Sequence, residues 1–218
     1  MSAAPLPVAK PRLRGVSHQW GFVASLVCGV LLVALARGGT AVAAAAIYAG
    51  ATSALLGTST LYHRVDWRPA ARRWMRRLDR SMIYVLIAAS YTPFTLLAMH
   101  GTLATVVLLA VWTGACGGVL LQLVWPDHPK WVAAAVAVVL GWVAVVTLTQ
   151  LPQTIGWGAI AALVASGVMY TTGAVVYARE RPNPWPGVFG YHEVFHALVL
   201  AAAATHYAVV AFVVLPRA

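Results

Sequence analysis

Charge is what this 218-residue chain has least of. Asp, Glu, Lys and Arg make up 9% of it, against about 25% in a soluble domain. So few charges cannot cover a water-facing surface, and the solvent for most of the chain must be lipid. Acidic residues number only five, and none follows His196. Strict apolar/polar alternation is absent, which argues against a membrane barrel. The two cysteines, Cys28 and Cys116, fall in apolar runs. There they read as small packing residues rather than a disulfide, and they say nothing of redox compartment.

What is present is a series of long apolar runs. Crossing the hydrocarbon core takes about 20 such residues in a helix, and backbone polar groups in lipid must be satisfied within the segment. Seven runs qualify, near Trp20–Ala36, Thr40–Leu61, Ser81–Met99, Leu103–Trp125, Trp131–Leu151, Ile155–Ala178 and Tyr191–Leu215. The expected fold is therefore an all-α integral membrane protein with seven transmembrane helices over residues 18–218. Residues 1–17, rich in Pro, Ala and basic side chains, read as a disordered basic tail.

The net charge of +10 sits beside these runs and is not a nucleic-acid signal. Thirteen of the fifteen Lys and Arg residues precede the first run or lie in alternate connections; Arg37 and Arg217 are the exceptions. The positive-inside rule then places the N-terminus in the cytoplasm and the C-terminus outside, in a multi-pass protein of the cell membrane. Arg64–Arg80 is the longest polar stretch. Trp67, Trp74, Met75 and Leu78 recur there among arginines at helical spacing. The stretch reads either as a short helix lying in the interface against anionic lipid headgroups, or as a plain topology-setting basic loop. In the third run, Ser90-Tyr91-Thr92-Pro93 reads as a kink.

Ionisable groups at the edge of a span are costly and need a reason. His63 ends the second run on the cytoplasmic side. Asp79 opens the third, and His192, Glu193 and His196 open the seventh, all on that side. His192 and His196 are four apart and share a helix face, as do Ser59 and His63. Three protein ligands with a fourth position open to water make a catalytic zinc site, and His63, His192 and His196 would supply three. Asp79 could hold the water as a base or as an orienting group. Ser59 could bond the same water or a substrate carbonyl.

His192-Glu193-Val194-Phe195-His196 also spells the H-E-x-x-H of zinc proteases. Those enzymes commonly take a third ligand from downstream. The one later histidine, His206, lies ten residues on, about 15 Å along the helix and out of reach of the same metal. Glu193 lies about 100° round the helix from His192; the alternative role for it is a first-turn acid favoured by the helix dipole. His206 reads as a core histidine bonded to a neighbouring helix, or as part of a cavity lining. His18, His100 and His128 read as solvated residues at helix ends or loops.

The ordered set Ser59-x-x-x-His63, Asp79, TyrThrPro in the third run and HisGlu-x-x-His at the seventh resembles the hemolysin III family. That family groups with the progestin and adipoQ receptors, including the adiponectin receptors. The resemblance implies a Zn2+ held by His63, His192 and His196, with Asp79 and Ser59 beside it. The wider group suggests hydrolysis of lipid amide bonds, as in ceramidases, with membrane lipids as substrate. The alternatives are a regulator of membrane state or energy homeostasis built on a structural zinc, and a hemolysin-type membrane-active protein. A pore finds no line of charged residues in the spans.

Overall fold

The computed structural model describes residues 10–218. Eight α-helices lie among the described residues: α1 (Val16–Leu35), α2 (Gly39–Arg64), α3 (Pro69–Leu97), α4 (Gly101–Val124), α5 (Lys130–Trp142), α6 (Leu151–Ile155), α7 (Trp157–Arg179) and α8 (Tyr191–Val209). α5 tightens into a 3-10 coil over Val143–Thr149, and α8 widens into a π turn over Val210–Val214. Trp185 and Phe189 form a lone β-bridge in the loop before α8. The protein is an all-α membrane protein.

Turn residues mark the boundaries. Pro69 occupies the first turn of α3, where its missing N–H costs nothing. Gly38 and Gly156 precede α2 and α7 in left-handed conformations that favour glycine. Among the described residues, six segments are long and apolar enough to cross a membrane: α1, α2, α4, α5 with its 3-10 extension, α7, and α8 with its extension. α3 falls outside that set because its first three turns carry arginines; the expected third run, Ser81–Met99, is its apolar second half.

The packing is inside-out relative to a soluble protein. Val30, Val139 and Phe212 are 70%, 71% and 75% exposed, while small residues such as Ala44, Ala45, Ala88 and Ala89 are fully buried. Small side chains let membrane helices approach closely, where dispersion rather than water expulsion holds them. Gly118 of α4 shows the limit: a Cβ there would lie 2.4 Å from the Tyr84 ring of α3. α2 packs between α1 and α3, α3 lies on α4, α5 leans on α7, and α8 packs on α7 and touches α1. The first and last helices therefore meet.

Two expectations change here. The Arg64–Arg80 stretch is neither a separate interface helix nor a loop: from Pro69 it is the start of α3 itself. The arginines continue the helix because their straight side chains favour it, and nothing between Pro69 and Ser81 breaks it. Of the expected tail, residues 1–9 lie outside the described residues. Beyond them, the backbone N–H groups of Arg12 and Leu13 donate to the carbonyls of Gly187 and Val188 at 2.9 and 3.1 Å. Residues 10–15 thus form a strap over the loop between α7 and α8.

Candidate metal centre

His63 sits in the last turn of α2, and His192 and His196 in the first two turns of α8. One nitrogen from each lies within 4.8 Å of the others, so the group could hold a metal ion. His63 Nε2 and His192 Nε2 are 3.1 Å apart. Two ligands on a tetrahedral ion with bonds of about 2.0–2.1 Å sit only slightly farther apart. Buried His196 Nδ1 has no hydrogen-bond partner, although buried polar atoms are rarely left unpaired. The spacing of the two Nε2 atoms fits a cation held by these three side chains.

Asp79 of α3 brings Oδ2 to 3.9 Å from His63 Nε2. That is too long for a hydrogen bond, but it sets a carboxylate beside the nitrogen that faces His192. Ser59, one turn before His63, is buried, and its Oγ lies 2.8 Å from His18 Nδ1. All five residues expected at the site therefore gather at one end of the bundle.

Glu193 does not point into this cluster. Its Oε1 accepts from Arg14 Nε in an ion pair, and its Oε2 accepts the Gly190 backbone N–H at 2.7 Å. That second bond is the glutamate half of a capping box at the start of α8, Gly190 having no side chain to make the other half. The glutamate of the H-E-x-x-H spelling therefore holds the helix end and the strap.

The cluster opens onto a cavity of about 420 Å³. Ser59, Asp79 and the three histidines line its head, and aliphatic and aromatic side chains such as Ile87, Phe94, Val138, Leu163 and Tyr170 line its length. Ser90 and Tyr91 also line it. His206 does both things expected of it: it lines the cavity, and its Nε2 meets the Ser90 carbonyl of α3 at 3.3 Å.

Two histidines expected to be solvated are buried. His128 is 5% exposed and bonds Gln122 Oε1 at 3.1 Å. His18 is 2% exposed: α1 begins at Val16 and not near Trp20 as the apolar run suggested, and His18 within it packs against Ser59 of α2 and His196 of α8. Hydropathy alone starts the run near Trp20, because it stops at the first polar residue. The place of His18 at the edge of the first span, the same end as His63 and Asp79, is the signal that could have found it.

A family model for haemolysin-III related proteins matches residues 7–207. The chain belongs to the haemolysin-III related family. Hemolysin-3 of Bacillus cereus is 29% identical to it over 206 residues, 93% of this chain and 91% of that protein. Monocyte to macrophage differentiation factor of Homo sapiens is 28% identical over 195 residues, 88% of this chain and 79% of that one. Heptahelical transmembrane protein ADIPOR2 of Oryza sativa subsp. japonica matches over a shorter stretch, 40% identical over 67 residues, 26% of this chain and 29% of that protein. This family membership and the six apolar helices make the chain a multi-pass membrane protein.

Proposed function

We propose that this haemolysin-III related protein is a zinc-dependent hydrolase of lipid amide bonds, with seven spans and its site at the cytoplasmic face. The observation that carries the reading is the joining of two unlike environments. A three-histidine cluster with a carboxylate and a hydroxyl beside it heads a cavity walled by hydrocarbon. A lipid with a hydrolysable polar junction matches both ends at once. The heptahelical name of the rice relative supports counting α3 as the seventh crossing.

His63, His192 and His196 would hold the ion. Bound zinc supplies Lewis acidity and lowers the pKa of an attacking water to about 7. Asp79 would take up a proton as general base and hand it to the leaving nitrogen as general acid. The Ser59 hydroxyl donates to the substrate carbonyl. The apolar wall holds the acyl chain and keeps bulk water from the junction. Trp142, Val145 and Val164 line this wall and are 43%, 51% and 47% exposed.

A second reading, a regulator built on a structural zinc, draws on the same Asp79. At 3.9 Å from His63 Nε2, a small movement would make it a fourth ligand and close the site. Zinc per chain, on detergent-purified wild type, His63→Ala and Asp79→Ala, separates the two, followed by a screen of N-acyl lipids for release of fatty acid. The hydrolase reading expects about one zinc in wild type and loss of it in His63→Ala. Asp79→Ala should keep zinc and lose turnover. Full turnover by Asp79→Ala would sink its role, and loss of zinc from that variant would favour the structural reading.

A further inference from the structure

One buried histidine beside the cluster has no part in the scheme above. His18 is 2% exposed and lines the head of the cavity, yet it stands outside the group of three whose nitrogens converge. Its ring lies flat on that of His196, with centroids 3.7 Å apart and planes 8° from parallel. Its Nδ1 is 2.8 Å from Ser59 Oγ. Its Nε2 is buried without a partner.

A metal-binding imidazole is ordinarily held in plane by a hydrogen bond from its other nitrogen to a carboxylate or carbonyl. Among the described residues, no hydrogen bond holds the His196 ring, and its Nδ1 is unpartnered. What bears on its face is the His18 ring. The other two histidines are arranged differently: each meets its neighbours edge-on, with interplanar angles of 60–70°. Only the His18–His196 pair is stacked among these, so rotation of the His196 ring about its Cβ–Cγ bond must displace His18. His18 in turn is pinned by Ser59.

We propose that His18 of α1 is a positioning residue of the three-histidine centre, which does not ligate the metal but fixes the plane of His196 by stacking and holds Ser59 at the head of the cavity. This rests on the metal-centre reading given above. It makes α1 a working part of the site, which otherwise draws on α2, α3 and α8. An aliphatic residue at position 18 would pack between helices at less desolvation cost; a flat ring with one nitrogen bonded to Ser59 is accounted for by the two groups it orients.

The test compares wild type with His18→Ala, His18→Phe and His18→Asn as full chains in detergent. The readouts are the zinc dissociation constant by chelator competition and the visible absorption of the Co2+-substituted protein, which reports ligand geometry. His18→Phe keeps a ring to stack on His196, and His18→Asn keeps an amide for Ser59 without the stack. The expectation for His18→Ala is a zinc affinity about 10–100-fold weaker with an altered cobalt spectrum. His18→Phe should recover most of the affinity and the spectrum, and His18→Asn should not. If His18→Ala does not fold, the phenylalanine and asparagine variants decide by themselves: tighter binding by Phe supports the proposal. Equal affinity and spectrum in wild type, Ala and Phe would overturn it, as would recovery by Asn rather than Phe. A wild-type chain that takes up no zinc would show itself before any variant is made, and would remove the metal reading along with this one.

Discussion

Arg14 donates to Glu193 across 179 residues of sequence, joining the strap before α1 to the first turn of α8. The other carboxylate oxygen takes the Gly190 N–H, so both oxygens of Glu193 are committed to structure. The prediction is that Glu193→Ala keeps its zinc but loses about 3 kcal/mol of stability, the cost of leaving one partner of a buried pair behind. Thermal unfolding in detergent, together with zinc analysis of the same sample, measures both. Loss of zinc at unchanged stability would return Glu193 to the metal and reopen the protease reading.

Gly15 sits where the strap turns into α1, with φ at +80°, and a Cβ there would lie 2.7 Å from His63 Cβ. Alanine at this position meets two penalties, the left-handed backbone at about 1–2 kcal/mol and the contact with a ligand-bearing residue. Gly15→Ala should therefore lower both the unfolding midpoint and the zinc affinity. A variant that loses stability yet binds zinc as wild type does would show that His63 does not depend on the strap.

The cytoplasmic placement of the site depends on topology. Thirteen of the fifteen basic side chains fall on one side only if α3 completes a seventh crossing. A reporter active only outside the cell should work when fused after Ala218 and fail when fused near Arg181. Activity at both points, or at neither, would break the seven-span assignment.

The first three turns of α3 place Arg73 and Trp74 on the surface, with Trp74 61% exposed and Arg77 stacked 4.8 Å over its ring. Arg76 is engaged by Asp127 at 2.8 Å. We expect Arg73 and Arg77 to bind anionic headgroups, at about 1 kcal/mol per arginine near the surface. The double variant Arg73→Gln/Arg77→Gln should lose the extra thermal stabilisation that phosphatidylglycerol gives over phosphatidylcholine. An undiminished difference between the two lipids would place the anionic site elsewhere.

Much of this architecture is legible in the chain before any coordinates. Apolar runs of membrane length mark the helices, because in lipid a long apolar segment has no other way to satisfy its backbone. Sorting polar residues by membrane side gathers Ser59, His63, Asp79, His192 and His196 at one end. Three things were not legible. The start of α3 cannot be separated from an interface helix by periodicity, since both are amphipathic. The role of Glu193 depends on Arg14, a partner with no local sequence relation to it. His18 looks like a solvated residue at a span edge, because its burial comes from Ser59 of α2 and His196 of α8, partners far from it in sequence.

The distance between His63 and His192, 129 residues in sequence, also bears on how the protein is made. At roughly 5–20 residues per second of synthesis, α2 is made about 6–26 seconds before the start of α8. Through that interval His63, Ser59 and Asp79 wait at the membrane edge with half a site. α8 then brings His192 and His196 to them, and through Arg14 and Glu193 it joins segments 179 residues apart. Chains truncated before α8 would carry those polar groups unpaired, a ready signal for membrane quality control to recognise.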